Sequence, residues 1–258
     1  MKRILGGRTG YTMIEVMVTL AIAGILLTVL ALAVQMSDQA VRKATGSHDS
    51  SLLLKKAARR LRQDLMQTSR QETRIVNISG SGGVLEGQAL CFLSSRDSQG
   101  VDQVSTAGGP KWMCNVIYYC VAPAQHDSFA GQSCTQSLGL WGIDDRCAHK
   151  VLIRKEIDQP GSPDPEVLLS APQLSSEVIR PTKLDISAIL SGVNCQKAEI
   201  VGTQMLGMAV QSTSKGIQVR LATVDVSRAS KEKGIGTSSL LNTSYTQSYD
   251  FIIKPEMP

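Results

Sequence analysis

The sequence predicts an α+β fold: a long N-terminal transmembrane and spine helix packed on an antiparallel β-sheet domain with disulfide-stapled loops. Three observations carry this expectation. Residues 16–34 contain no charged side chain. Residues 52–66 repeat apolar side chains at helical spacing. After Thr73 the chain changes to short apolar segments separated by Gly-, Ser-, Asp- and Pro-rich stretches that hold all six cysteines.

The uncharged run reads Val-Met-Val-Thr-Leu-Ala-Ile-Ala-Gly-Ile-Leu-Leu-Thr-Val-Leu-Ala-Leu-Ala-Val. A hydrocarbon core of about 30 Å needs about 20 apolar residues in a helix, so this segment is long enough to cross. Helix is also the only single-segment conformation that satisfies its backbone in lipid. Lys2, Arg3 and Arg8 precede it, which predicts a cytoplasmic N-terminus with the remaining chain outside.

Glu15 lies at the mouth of this span, five positions after Gly10. A carboxylate near the centre of a membrane helix costs roughly 2.5–3.5 kcal/mol, so its presence there calls for a function. A secretory signal peptide has a shorter apolar run followed by a small-x-small cleavage site. A plain single-pass anchor explains the span but not Glu15. A buried helix of a soluble protein does not explain so long an uncharged run beside a basic flank.

The residues around Gly10 resemble the prepilin-type signal of the type IV pilin and pseudopilin family over about residues 6–36. Thr12-Met13-Ile14-Glu15 is similar to the family's Thr-Leu-Ile-Glu, with Met for Leu, and Tyr11 stands where Phe is commoner. The resemblance implies that prepilin peptidase cuts after Gly10 and that Tyr11 becomes the methylated N-terminus. It implies that Glu15 is the assembly carboxylate, neutralising the N-terminal amine of a neighbouring subunit. Charges inside a membrane usually pair with one another, and assembly then offsets the cost of both.

The helix is expected to continue beyond the span. Leu54, Ala57, Ala58, Leu61 and Leu65 fall on one stripe, with Lys55, Lys56, Arg59, Arg60 and Arg62 on the other side. No proline interrupts residues 11–70. The weak helix formers at 46–51 predict a kink, with Asp49 or Ser50 capping a second segment. The cations read as a solvated face, with contact to a neighbouring subunit or DNA as the competing readings. They lie too far beyond the span to reach lipid headgroups.

Strands are expected at 74–78, 89–93, 115–121, 149–157, 167–169, 199–201, 208–211, 217–224 and 249–253. Ile217, Val219 and Leu221 alternate with Gln218, Arg220 and Ala222, as in a half-buried strand. Loops are expected at 79–83, 94–111, 159–165 and 227–239.

Cys91, Cys114, Cys120, Cys134, Cys147 and Cys195 all lie in the part placed outside the cytoplasm, where disulfides persist. Six cysteines fit up to three bridges in fifteen pairings. Cys114 and Cys120 flank one strand, about 20 Å apart, and cannot pair with each other. No Cys-x-x-Cys occurs, and His48, His126 and His149 show no ligand spacing with the cysteines, so no metal is expected. Asp97, Asp102, Asp144, Asp145, Asp158 and Asp164 follow no EF-hand spacing and read as solvated loop acids. No nucleophile–base pattern supports an enzyme, and no cofactor is expected.

The formal charge is +5. Without Lys2, Arg3 and Arg8, 24 Lys and Arg face 22 Asp and Glu, for a net +2. Nucleic acid is therefore disfavoured as a general partner. The expected organisation is a leader at 1–10, a membrane and filament-core helix at 11–35, its amphipathic continuation at 36–72, and an extracytoplasmic β-rich domain at 73–258.

Beyond the N-terminus, the order of spine helix, Ala-Leu-Cys-Phe-Leu, Ile-Tyr-Tyr and Val-Leu-Ile-Arg resembles the larger minor subunits. These are the W-type minor pilins of type IV pili and the J-type minor pseudopilins of type II secretion. The resemblance implies a structural subunit that helps to initiate or cap a filament. Its implied partners are other minor and major pilins or pseudopilins, an inner-membrane assembly platform, and membrane lipid before assembly. A reading from another class is a pilus-tip module for adhesion or DNA uptake, carried by loops 94–111 and 227–239.

Overall fold

The computed structural model describes residues 12–77, 88–97, 99–121, 150–158, 166–178, 194–225 and 246–255, with the side chains of 42–47 excepted. Gly10, Tyr11, Cys134, Cys147, His126, His149 and the expected loops at 79–83, 159–165 and 227–239 lie outside the described residues. The chain divides into two compact units, residues 1–45 and 46–258.

In the first unit the only described element is the beginning of helix α1, which as a whole runs Met13–Leu65. Its segment Met13–Val41 is long and apolar enough to cross a membrane. Every residue from Thr12 to Val41 is exposed. The expected kink does not interrupt the helix: α1 is continuous through residues 46–51. Asp49 and Ser50 are therefore interior helix positions rather than caps, and Ser50 is buried.

Among the described residues the second unit forms a seven-stranded antiparallel sheet in the order β1-β2-β3-β4-β5-β6-β7, curled as a half-barrel. The strands are β1 Thr73–Asn77, β2 Gln88–Ser94, β3 Cys114–Val121, β4 Lys150–Ile157, β5 Cys195–Thr213, β6 Gly216–Val224 and β7 Thr246–Ile253. Every strand pairs with its sequence neighbour, as expected for antiparallel strands joined by local connections.

The strands carry apolar residues on both faces, and each face has a covered cluster. On one face Leu90, Phe92, Val116, Tyr118, Leu152, Val219 and Leu221 pack under Leu54, Ala57, Ala58, Leu61 and Leu65 of α1. The stripe legible in the sequence is thus the buried face of the helix. On the other face Ala89, Ile117, Tyr119, Val151, Ile153 and Ile157 pack under Leu169, Leu174 and Val178. This second layer is built around a short helix, α2, at Ala171–Glu177.

Two expectations are corrected here. The expected strand at 167–169 is not one; it is extended backbone leading into α2. Asn115, projecting from β3, holds it: its Nδ2 donates to the Val167 carbonyl at 3.0 Å, and its Oδ1 accepts the Leu169 N–H at 3.0 Å. The expected strands at 199–201 and 208–211 are parts of one 19-residue strand, β5. Gly202 lies inside this strand and serves its packing. A Cβ at Gly202 would sit 3.3 Å from that of Ala57, so the glycine lets α1 approach β5 closely. An irregularity between Met205 and Gly207, beside Gln204 at φ 56°, shifts the alternation by one residue. The inward set accordingly passes from Val201 and Met205 to Met208 and Val210.

Candidate functional site

The N-terminal end of α1 is closed by Thr12 and Glu15. Glu15 Oε2 accepts the Thr12 N–H at 2.9 Å and the Thr12 hydroxyl at 3.0 Å. In return the Glu15 N–H donates to Thr12 Oγ1 at 3.3 Å. Thr and Glu three positions apart form a reciprocal capping box, which satisfies otherwise unpaired N–H groups at a helix start. The spacing was visible in the sequence, but its use as a cap was missed. The hydroxyls of Thr19 and Thr28 donate to the carbonyls of Glu15 and Gly24, each at 2.8 Å. Such back-bonding lets a hydroxyl lie in an apolar helix without an unsatisfied donor.

The other end of α1 is fixed to the sheet by charge as well as by apolar packing. Asp64, on the last turn, is buried. Its Oδ2 accepts the Tyr118 hydroxyl at 2.7 Å and Arg154 Nε at 2.6 Å. Arg154 is also buried and donates to Glu156 Oε1. Arg60, one turn before Asp64, reaches Glu199 of β5 at 3.3 Å. The cluster thus joins α1 to β3, β4 and β5. Burial first, and the Asp64 carboxylate next, push the Tyr118 hydroxyl well above its ordinary pKa. Tyr118 therefore remains a proton donor to Asp64 at neutral pH.

Strand alternation explains the counterpart on the other face. Arg154 points under α1, so its neighbour Lys155 points under α2. Lys155 Nζ donates to Glu177 Oε2 at 2.9 Å and to the Glu177 carbonyl at 2.8 Å. The carbonyl contact serves the C-terminal end of α2, where cations are favoured. Sequence reasoning placed Asp64 and Arg154 on the right elements but assigned them no role.

Cys91, Cys114, Cys120 and Cys195 are free thiols. Cys91 and Cys195 belong to the face covered by α2, and Cys114 and Cys120 to the face under α1. Cys91 and Cys195 are on β2 and β5, three strand spacings or about 14 Å apart. Cys114 and Cys120 are at opposite ends of β3, about 20 Å apart. The sheet separates every other pair among the four. None meets the 4.4–6.8 Å Cα spacing of a disulfide. Any intrachain bridge in this fold therefore involves Cys134 or Cys147, and three bridges at once do not fit. Burial pushes the thiols of Cys91, Cys114 and Cys120 up to about 12. It raises that of Cys195 as well.

Asp97 is less solvated than expected of a loop acid. Its carboxylate accepts the N–H groups of Gln99 and Val101, each at 2.9 Å, and Gln103 Nε2 at 2.8 Å. These bonds, that of Val101 foremost, lower its pKa. Asp102 faces Arg96 at 3.5 Å. Among the described residues no group of His, Cys, Asp and Glu is arranged to hold a metal.

The exposed apolar helix headed by the Thr12–Glu15 cap fits a membrane anchor by its length and composition. The family model for the prokaryotic N-terminal methylation motif matches residues 6–31. The chain therefore carries a type IV pilin/pseudopilin-family signal. No curated protein and no solved structure matches the chain. The motif supports a structural subunit of the pilin or pseudopilin kind, processed by prepilin peptidase and assembled with other pilins. Proteins of that family are in general non-catalytic.

Proposed function

We propose that the chain is a W-like minor pilin that helps to initiate or cap a type IV pilus. In this reading prepilin peptidase cuts after Gly10, Tyr11 becomes the methylated terminus, and Glu15 is the assembly carboxylate. The apolar part of α1 is first a membrane anchor with its N-terminus in the cytoplasm, and later part of the filament core. The sheet domain is periplasmic at first and extracellular in the filament. Its partners are other minor and major pilins and the inner-membrane assembly platform. A J-type minor pseudopilin of type II secretion uses the same parts, and the genes beside this one distinguish the two machines.

The observation that carries the reading is Glu15 itself, inside the matched motif and bonded to Thr12 at the head of an exposed apolar helix. Those bonds keep the carboxylate satisfied within one subunit. A cationic amine from a neighbour gives it a stronger, charge-assisted partner. The local cap thus makes insertion tolerable, and the intermolecular pair makes assembly favourable.

The test is Glu15→Ala, followed by membrane fractionation and recovery of sheared filaments. The variant is expected to insert and to be cut normally but to be missing from filaments. Incorporation at the normal level would remove the role given to Glu15.

A further inference from the structure

The exposed cations of α1 do not all behave as a solvated face. Arg60 is engaged with Glu199 and Asp64. Lys55, Arg59 and Arg62 lie four and three residues apart, which puts them on one stripe of the helix. That stripe borders strand β7. One cleft of about 160 Å³ is lined by Lys55, Ala58, Arg59, Arg62, Tyr249 and Phe251. A second, of about 600 Å³, continues from Arg62 past Met66 to Lys215, Ile252, Ile253 and Lys254.

Three features define what this groove accepts. Five cations line it, and none has an acidic partner among the described residues. The one carboxylate of β7, Asp250, is held by Arg220 with two bonds at 2.7 and 2.9 Å. Strand alternation puts Asp250 on the sheet face away from α1. Among the described residues, the charges that line the groove are therefore all positive.

Second, β7 is an edge strand of the sheet among the described residues. From Tyr249 to Ile253 its outer side has no strand partner among the described residues. An open strand edge presents main-chain donors and acceptors that another extended peptide can satisfy. Third, the walls are partly apolar. Tyr249 and Phe251 lie with ring centroids 5.5 Å apart, and Tyr249 and Ile252 are 43% and 47% exposed. The edge from Tyr249 to Ile253 is about 13 Å long, enough for about five residues of an extended chain.

We propose that this groove is a docking site for an extended acidic segment of another protein, which pairs with the β7 edge while its carboxylates meet Lys55, Arg59, Arg62, Lys215 and Lys254. Single-stranded nucleic acid also suits cations beside aromatic rings. The strand edge decides against it, because a sugar–phosphate backbone cannot continue the ladder. The inference does not depend on the filament reading.

The experiment uses the full chain in nanodiscs of zwitterionic lipid and follows fluorescence anisotropy of labelled probes. The first probe is a short peptide alternating Glu and Val. The others are its Lys–Val counterpart, the Glu–Val peptide N-methylated at alternate residues, and an oligothymidylate. The acidic peptide is expected to bind, more weakly as salt rises, and to outcompete the other three. Combining Lys55→Gln, Arg59→Gln and Arg62→Gln should weaken it by about tenfold, because each exposed pair contributes about 0.2–1 kcal/mol. Lys215→Gln with Lys254→Gln, on the other wall, should weaken it less. An unchanged thermal midpoint shows that both variants are folded. Equal binding of the acidic and Lys–Val peptides would overturn the proposal, as would equal binding of the N-methylated peptide. Tighter, variant-sensitive binding of the oligothymidylate would replace the peptide with nucleic acid.

Discussion

Residues 13–41 and 54–65 are parts of one helix with opposite surroundings. The first part exposes Ile14, Leu20, Leu26, Leu30 and Val34 on all sides. The second buries Leu54, Ala57, Leu61 and Leu65 and turns Lys55, Arg59 and Arg62 outward. The apolar residues of the first part are exposed among the described residues, where lipid or other subunits can cover them. In the second part the same residue type holds the domain together. The apolar side chains are of similar kinds in both; their periodicity differs, and periodicity tells a one-sided helix from an all-round apolar one.

That contrast is broken most severely at the charged junction. Asp64→Ala leaves Arg154 buried beside Tyr118 without its main acceptor. Removing one partner of a buried pair costs about 3–5 kcal/mol. Chemical denaturation of the sheet domain should show a loss of this size. Leu61→Ala should cost about 2–5 kcal/mol, because the side chain is completely buried. Leu27→Ala, at a residue 65% exposed, should leave the same denaturation curve unchanged. Equal losses from Leu61→Ala and Leu27→Ala would erase the distinction between the two parts. Gly216→Ala should also destabilise the domain, since φ is 138° and a Cβ would lie 2.2 Å from the Ile253 carbonyl oxygen.

Tyr118 supplies a pH test of the same junction. Its folded pKa lies above the ordinary value near 10. In the unfolded chain Tyr118 ionises at that ordinary value, so the contribution of the bond to Asp64 is fully present below about pH 10. It is lost as pH rises toward the higher folded pKa. Tyr118→Phe should lower stability at neutral pH by about 1–3 kcal/mol, because Asp64 loses a buried donor. It should also flatten the alkaline limb of stability against pH.

The smallest effects concern the thiols. At pH 8 iodoacetamide should react, among the four described thiols, first with Cys195, which is only partly buried. Cys91, Cys114 and Cys120 should resist, because burial holds them as thiols. Unfolding without reductant should then release at least two alkylatable cysteines per chain, as counted by peptide mass spectrometry. A chain with all six cysteines in intrachain bridges would contradict the sheet register.

The sequence disclosed what depends on local periodicity and little of what depends on distant partners. The stripe from Leu54 to Leu65 and the alternation from Ile217 to Leu221 could be read directly. Short α2 could not, because Ala171–Glu177 completes barely two turns and contributes one fully buried side chain, Leu174. Strand β5 was expected as two short segments, and the close approach of Ala57 over Gly202 is a distant contact that no local pattern contains. The Asp64–Tyr118–Arg154 cluster joins residues 54 and 90 positions apart, which no local pattern contains. At the N-terminus the reverse holds. The motif is local, so residues 6–31 were legible, and the structure added only the bonding of Glu15 to Thr12.

In the proposed function the first part of α1 is a processed filament segment rather than a permanent anchor. Mass spectrometry of the N-terminal peptide of the protein purified from its own membrane tests this most directly. The expected result is a chain beginning at methylated Tyr11. A chain still beginning at Met1, or one cut near residue 34, would contradict it.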